Sequence, residues 1–510
     1  MPADASPAIP SDELHSSALL RPAQRRAVLL GMMAGVSLAA IDQMVLSTAV
    51  SAIAAEFGDI SQAPWVFTAN LLTSAASMPI WGKLGDLFGR RRVFQSAISL
   101  FIIASLLAAM SDSMAWLLVC RALQGLGGGA LLTIPYAILG DIIPPRERTA
   151  YVAFITVVWT TAGFIGPPLG GFLVEGPGWR WMFYLNVPAA LVSFALIQWG
   201  YRLPRQRIEH RIDFLGAGLL FSAVGALILY TSWAGEAIGW RAPLSLALIA
   251  TSAVLGAGFV LQERRAEEPI VQLAIFKMQA VWAPLLATSL FGFVNFSIAF
   301  FLPLYSLVVR GTDAVQAGFT LAPLTGGMLV AGLIIGRRAT ATRSYRRYAT
   351  LALAIYTAGL ALLSTVTRTT PTLQFLSYSL LLGFGSGTLG PVVISSLQNA
   401  VDEKYLGVVS SLPGFSRAIA QTIGTSILGT LLTARIAAHL QAEVASLAGP
   451  GANLAEFIAR PAAVRTLADP LQTAVIEAYR SAFNETFLTM VAVACLSLIA
   501  TRFMVDPADG

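Results

Sequence analysis

Fourteen apolar runs in succession constrain this chain more than any other feature. They cover 27–50, 65–81, 93–110, 115–143, 151–174, 181–200, 212–233, 243–261, 281–308, 315–336, 348–367, 372–398, 408–435 and 484–503. A helix of about 20 mostly apolar residues crosses a bilayer, so each run is read as a spanning helix. The competing arrangement, a bundle of buried soluble helices, needs a charged exterior. Soluble domains carry about 25% charged residues; this chain has 12% over 510 residues, with 56% hydrophobic. A lipid-facing exterior removes the conflict, and the expected fold is all-α and membrane-integral with 14 transmembrane helices. The first run follows a polar tail, 1–26, and is long enough to span, so it is read as an uncleaved first helix and not a signal peptide.

The charges that are present sort by loop. The net charge is +6, and Lys83, Lys277 and Lys404 are the only lysines. Arginines cluster in alternate loops: Arg90, Arg91 and Arg92 with Lys83; Arg146 and Arg148; Arg202, Arg205, Arg207 and Arg211; Arg264 and Arg265; Arg337, Arg338, Arg343, Arg346 and Arg347. The intervening short loops hold single arginines, Arg180, Arg241, Arg310 and Arg368. This pattern is membrane topology, not a nucleic-acid surface. Positive residues stay inside, which puts both termini in the cytoplasm of a multi-pass inner (cytoplasmic) membrane protein, as an even helix count requires. One outer loop is long, about 436–483, with Gly449-Pro450-Gly451 at its centre and mixed charges around Glu456, Arg460, Arg465 and Asp469; a pair of short surface helices is expected there.

Several function classes lack their chemistry. Cys120 and Cys495 both sit in apolar runs and form neither a disulfide framework nor a metal-ligand spacing. No Gly-Lys-Ser/Thr phosphate loop occurs, and no catalytic cluster or intramembrane lysine is visible. No cofactor, no metal, no enzyme activity and no nucleic-acid partner are expected; the energy source would be an ion gradient.

The densest polar segment follows the second run: Gly82-Lys83-Leu84-Gly85-Asp86-Leu87-Phe88-Gly89-Arg90-Arg91-Arg92. Gly82, Gly85 and Gly89 let helix ends approach closely. Asp86 is suited to the positive N-terminal end of a neighbouring helix, and Arg90 and Arg91 to carboxylates such as Glu147. With Lys83, such pairs would lock one side and break when it opens. A tight turn with positive-inside charges is the plainer alternative.

This segment closely resembles the cytoplasmic signature loop of the major facilitator superfamily. Further segments match: Arg121-Ala122-Leu123-Gln124-Gly125-Leu126-Gly127-Gly128-Gly129; Gly163-Phe164-Ile165-Gly166-Pro167-Pro168-Leu169-Gly170-Gly171; and Trp179 to Pro188. Together with the helix count they resemble the fourteen-helix drug:proton antiporter branch, and the pattern Gly163, Gly166, Pro167, Gly170 and Gly171 is similar to the one that marks exporters. The resemblance implies two six-helix halves, 27–200 and 266–503, with a linker and two inserted helices in 201–265 and a short tail, 504–510. It also implies that Asp86 meets the start of helix 13 near Gly407. The matching loop of the second half, from Gly336 to Arg343, lacks the acidic residue, so a symmetric second latch is not expected.

Ionisable residues inside spanning helices are expensive and are functional candidates by default. Asp42 in helix 1 lies ~23 Å from the inner end and Arg121 in helix 4 ~9 Å from the outer end, so both fall at similar depth. They are expected to pair, directly or through Gln124. A carboxylate that exchanges an arginine for a proton can couple proton entry to motion; a fixed structural pair is the alternative. Arg417 in helix 13 is placed near the inner end, where it can snorkel. Asn70, Tyr136, Trp159, Phe291, Asn295 and Tyr305 are candidates for the central substrate cavity, with helix packing as the alternative for each. No second deep carboxylate is evident in helices 9–14, which argues against dicationic substrates.

The expectation is a proton-coupled antiporter, a monomer in the lipid bilayer, exporting small amphipathic toxic molecules, with or without an outer adaptor. A dedicated exporter of one metabolite, such as a siderophore, lipid or self-made antibiotic, is the alternative.

Overall fold

The structure, a computed structural model, describes residues 20–57, 63–144, 147–201, 213–236, 239–312, 314–342, 344–402, 405–444, 464 and 469–506. These form long helices α1 (Pro22–Phe57), α2 (Ala63–Phe88), α3 (Arg90–Ala109), α4 (Met114–Ile142), α5 (Arg148–Glu175), α6 (Trp181–Gly200), α7 (Phe214–Glu236), α8 (Pro243–Glu263), α9 (Gln279–Val308), α10 (Ala322–Thr342), α11 (Tyr345–Leu363), α12 (Thr372–Gln398), α13 (Leu406–His439) and α14 (Leu471–Ala500). Among the described residues, twelve helices are long and apolar enough to cross a membrane. Helices α2 and α11 fall outside that measure, so the expected fourteen spans are not all matched by it. Their polarity has visible causes: α2 buries Asn70, Thr73, Ser74 and Ser77 against its neighbours, and α11 opens on Tyr345-Arg346-Arg347.

The helices pack as two like groups. In the first, α1 packs on α5 and α6, α2 on α4, and α3 on α4 and α6. In the second, α9 packs on α13 and α14, α10 on α12, and α11 on α12 and α14. Each contact of one group thus recurs eight helices later. Between the groups, α2 and α4 meet α13, and α5 meets α10 and α12. Helices α7 and α8 pair with each other, and α7 also touches α2 and α13.

Lipid and Leu are equally apolar, so close packing of small residues holds membrane helices together. The glycines of the 121–129 segment do this for α4. A Cβ at Gly125 would fall 2.3 Å from the Asn70 carbonyl oxygen of α2, and one at Gly127 2.8 Å from the Ala97 carbonyl oxygen of α3. Trp81 Nε1 adds a hydrogen bond from α2 to the Leu126 carbonyl at 2.6 Å.

Three expectations need correction. The polar segment 82–92 is not a loop: α2 runs to Phe88 and α3 starts at Arg90, with only Gly89, at φ +88°, between them. That backbone conformation suits glycine. Helix α13 continues past 435 through His439 into a π-helical turn, Leu440–Val444, and α14 starts at Leu471, not 484. Much of the expected outer loop is therefore helix, while 445–463 and 465–468, with Gly449-Pro450-Gly451, Glu456, Arg460 and Arg465, lie outside the described residues. So do 1–19, the linker 202–212 with its four arginines, Arg146, Arg343, Lys404 and 507–510.

Candidate functional site

The strongest polar feature is buried inside the first helix group. Asp42 of α1 and Arg121 of α4 are 3% and 0% exposed. Arg121 Nη1 donates to Asp42 Oδ2 at 2.7 Å and also to Gln124 Oε1. Gln124 Nε2 in turn donates to Asp42 Oδ1 at 2.9 Å. The pair is thus both direct and bridged by Gln124.

The surroundings bring in three more helices. Asn186 Nδ2 of α6 donates to Asp42 Oδ1 at 2.7 Å, and Ser105 Oγ of α3 accepts from Gln124 Nε2 at 2.9 Å. Arg121 Nε donates to the Val66 carbonyl of α2 at 3.0 Å, and Asn70 Nδ2 of α2 donates to the Arg121 carbonyl at 3.4 Å. The guanidinium lies 5.9 Å from the centre of the Phe183 ring of α6. One nitrogen, Arg121 Nη2, is buried without a hydrogen-bond partner. Asp42 therefore holds three donors from two helices, and five helices share one polar knot. Asn70, expected in the cavity, belongs to this knot. Asn186 and Ser105 were not singled out by the sequence; Asn186 did stand inside the segment from Trp179 to Pro188.

A second site closes one face of the molecule. Asp86 accepts backbone N–H groups of Gly407 and Val408, at 3.0 and 3.1 Å, at the start of α13. Arg90 pairs with Asp86 and with Asp141, its Nε 3.3 Å from Asp141 Oδ2. Arg91 donates to the Tyr201 carbonyl at 3.3 Å. Glu147, expected to meet these arginines, is 3.0 Å from Arg25 of α1 instead. Lys83 lies 3.8 Å from Glu268. Gly82 and Gly407 pack backbone to backbone: a Cβ on Gly82 would come 2.7 Å from the Gly407 oxygen. A Cβ at Gly85 would press on Ile134 at 2.8 Å.

The same face is bridged a second time, by different chemistry. Gln398 Nε2 at the end of α12 donates to the Tyr136 carbonyl of α4 at 2.7 Å. Arg148 at the start of α5 donates to Asn399 Oδ1 at 3.2 Å, and Asn399 Nδ2 donates to Tyr345 Oη at 2.7 Å.

The glycine pattern of α5 divides in two. Gly166 and Gly170 lie against α1, where a Cβ would meet Met44 Cβ at 2.4 Å and the Val45 oxygen at 2.6 Å. Gly163 and Gly171 have nothing within 4 Å. Pro167 stands between them; its side chain lies outside the described set.

Two cavity candidates are corrected. Phe291 is buried edge-on to Tyr356, ring centres 5.0 Å apart. Tyr305 is fully buried, stacked on Phe375 at 5.7 Å. Both are core of the second group. Asn295 and Trp159 are partly exposed, and Asn295 accepts from Ser386 Oγ of α12 at 2.8 Å. Arg417 is not at a helix end: it lies well inside α13, and its side chain is exposed.

Membrane-length helices in two like groups, joined across a seam, define a multi-pass membrane protein of transporter architecture. The chain belongs to the Major Facilitator Superfamily, whose family model matches residues 32–425. It is 29% identical over 492 residues to Multidrug resistance protein 3 of Bacillus subtilis (strain 168), covering 94% of this chain and 95% of that one. It is 29% identical over 412 residues to Multidrug transporter protein MdtP of the same organism, covering 81% and 76%. Among solved structures, the human organic anion transporter MFSD10 (TETRAN) superposes with a TM-score of 0.60 at 15% identity, over 93% of this chain and 100% of that one, a likeness of fold.

Proposed function

We propose that this chain is a proton-coupled antiporter that exports amphipathic drugs or toxic small molecules across the cytoplasmic membrane by alternating access. The face closed by Asp86 is the cytoplasmic one, with both termini on it, and the protein works as a monomer in the bilayer. The observation that carries the reading is Asp42, a buried carboxylate held by Arg121, Gln124 and Asn186.

A proton on Asp42 removes the charge that Arg121 faces. Breaking a buried pair by neutralising one partner costs ~3–5 kcal/mol. Inverting a two-state population from 1:99 to 99:1 takes about 5.5 kcal/mol, so one such event is of the size alternating access needs. Two helices can carry it outward. Arg121 is tied to α2 at Val66 and Asn70, and the other end of α2 bears Asp86 on α13. Asp42 is on α1, which Gly166 and Gly170 press onto α5, and α5 begins at the Arg148 bridge.

The test is proton movement in inside-out vesicles on substrate addition, wild type against Asp42→Asn. Substrate-dependent proton release in the wild type and its loss in the variant are expected. Coupling that survives the substitution leaves Asp42–Arg121 as a structural pair and sinks the assignment.

A further inference from the structure

We infer that Arg417 is an anchor for an anionic group, so that the substrates are amphipathic molecules bearing a carboxylate, sulfonate or phosphate. This rests on the reading of the space between the two helix groups as the substrate path.

Four observations converge on this residue. First, it is deep: it follows Leu406, the start of α13, by about 11 residues, or about 16 Å along the axis, too far for its head to reach the closed face. Second, its stem is fixed and its head is free. Gly292 of α9 lies against it so closely that a Cβ there would come 2.8 Å from Arg417 Cγ, while the side chain as a whole is exposed. Third, it stands at the seam, since α13 packs on α2 and α4 of the opposite group. The floor of that space is closed below, where Gln398 holds the Tyr136 carbonyl and Gly414 meets Met78.

Fourth, its charge is uncompensated. Arg90, Arg121 and Arg435 each hold a carboxylate. Among the described residues none pairs with Arg417. An ionisable group at such depth is costly unless it faces water or a partner of opposite sign. A guanidinium presents a planar fork of donors suited to two oxygens at once. A cationic substrate would meet repulsion here, with Asp42 already occupied.

Binding separates this inference from proton coupling, because it needs no transport. The full chain in nanodiscs is titrated with dansylglycine and with its uncharged methyl ester, followed by dansyl fluorescence. The wild type is expected to bind the carboxylate at least about tenfold more tightly, the gain from one charge-assisted hydrogen bond. Arg417→Gln should abolish that preference while keeping the ester affinity, and Arg417→Lys should keep part of it. Arg417→Glu should turn the preference towards dansylcadaverine, a cation on the same ring. A wild type with no preference for the carboxylate, including one that binds neither probe, overturns the inference. So does a preference that survives Arg417→Gln. Coupling that survives Asp42→Asn with this preference intact would overturn the Asp42 assignment alone, and no substrate-driven proton release in the wild type with this preference intact would overturn the antiport reading alone.

Discussion

Arg121 does work that a simple positive charge could not. Its Nε reaches the Val66 carbonyl while Nη1 serves Asp42 and Gln124. A lysine ammonium is a single point and cannot span those positions. Arg121→Lys is therefore expected to keep the charge yet lower substrate-driven proton release at least about tenfold, read in the same vesicles; wild-type rates in this variant would show that charge alone suffices. Asp42 and Arg121 were legible in the sequence because charge stands out in an apolar run, and Gln124 because it stands one helical turn from Arg121. Ser105 and Asn186 were not, since neither stands within a turn of a charged residue and many hydroxyls and amides of spanning helices only pack. Phe291 and Tyr305 misled for a related reason. An aromatic ring is equally at home in a cavity wall and in a core, and only their partners, Tyr356 and Phe375, decide.

Helices were legible because length and apolarity set them, and the repeats of contact between them were not. Segment 82–92 reads as a loop by its charge, yet one glycine is enough to turn the chain between α2 and α3. The end of α13 was missed because His439 and its neighbours are polar enough to look like loop. At this scale the adjacent glycines of α5 give a sharp comparison. A Cβ at Gly170 would fall 2.1 Å from Thr48 Oγ1, whereas Gly171 faces open space. Gly170→Ala should destabilise the α1–α5 contact by ~1–3 kcal/mol and lower the thermal midpoint in detergent. Gly171→Ala should leave it unchanged. Equal midpoints for the two variants would contradict the packing described. The second group repeats the device with Gly424 against the Phe293 backbone of α9, and close to it in the chain Phe291 packs edge-on to Tyr356 of α11. Among the described residues the fully buried ion pair, Asp42–Arg121, belongs to the first group.

Across the whole molecule, one face is shut by two bridges of unlike kind. The Asp86 bridge sets a carboxylate on a helix N-terminus, an interaction of ~0.3–2 kcal/mol that needs the charge. The Arg148–Asn399–Tyr345 bridge ends on neutral groups. Asp86→Asn should therefore loosen the closed face without abolishing it. With Cys120→Ala and Cys495→Ala as background, a Ser411→Cys probe beneath Gly82 is buried while the face is shut. Its labelling by an impermeant maleimide is expected to rise about tenfold in Asp86→Asn, matching ~1.4 kcal/mol. Unchanged labelling would shift the closure onto the Arg148 bridge.

Helix α7 lies across the line where α2 meets α13, with Trp233 edge-on to Trp65 at 5.3 Å and the Thr231 carbonyl accepting from Ser426 of α13 at 2.8 Å. The opposite line, between α5 and α10, has no inserted helix over it among the described residues. The bilayer thus borders the transport path on unequal terms. A molecule approaching from the side would meet α7 at one seam and only α5 and α10 at the other, so the inserted pair gives the two sides of the bundle unequal outlines.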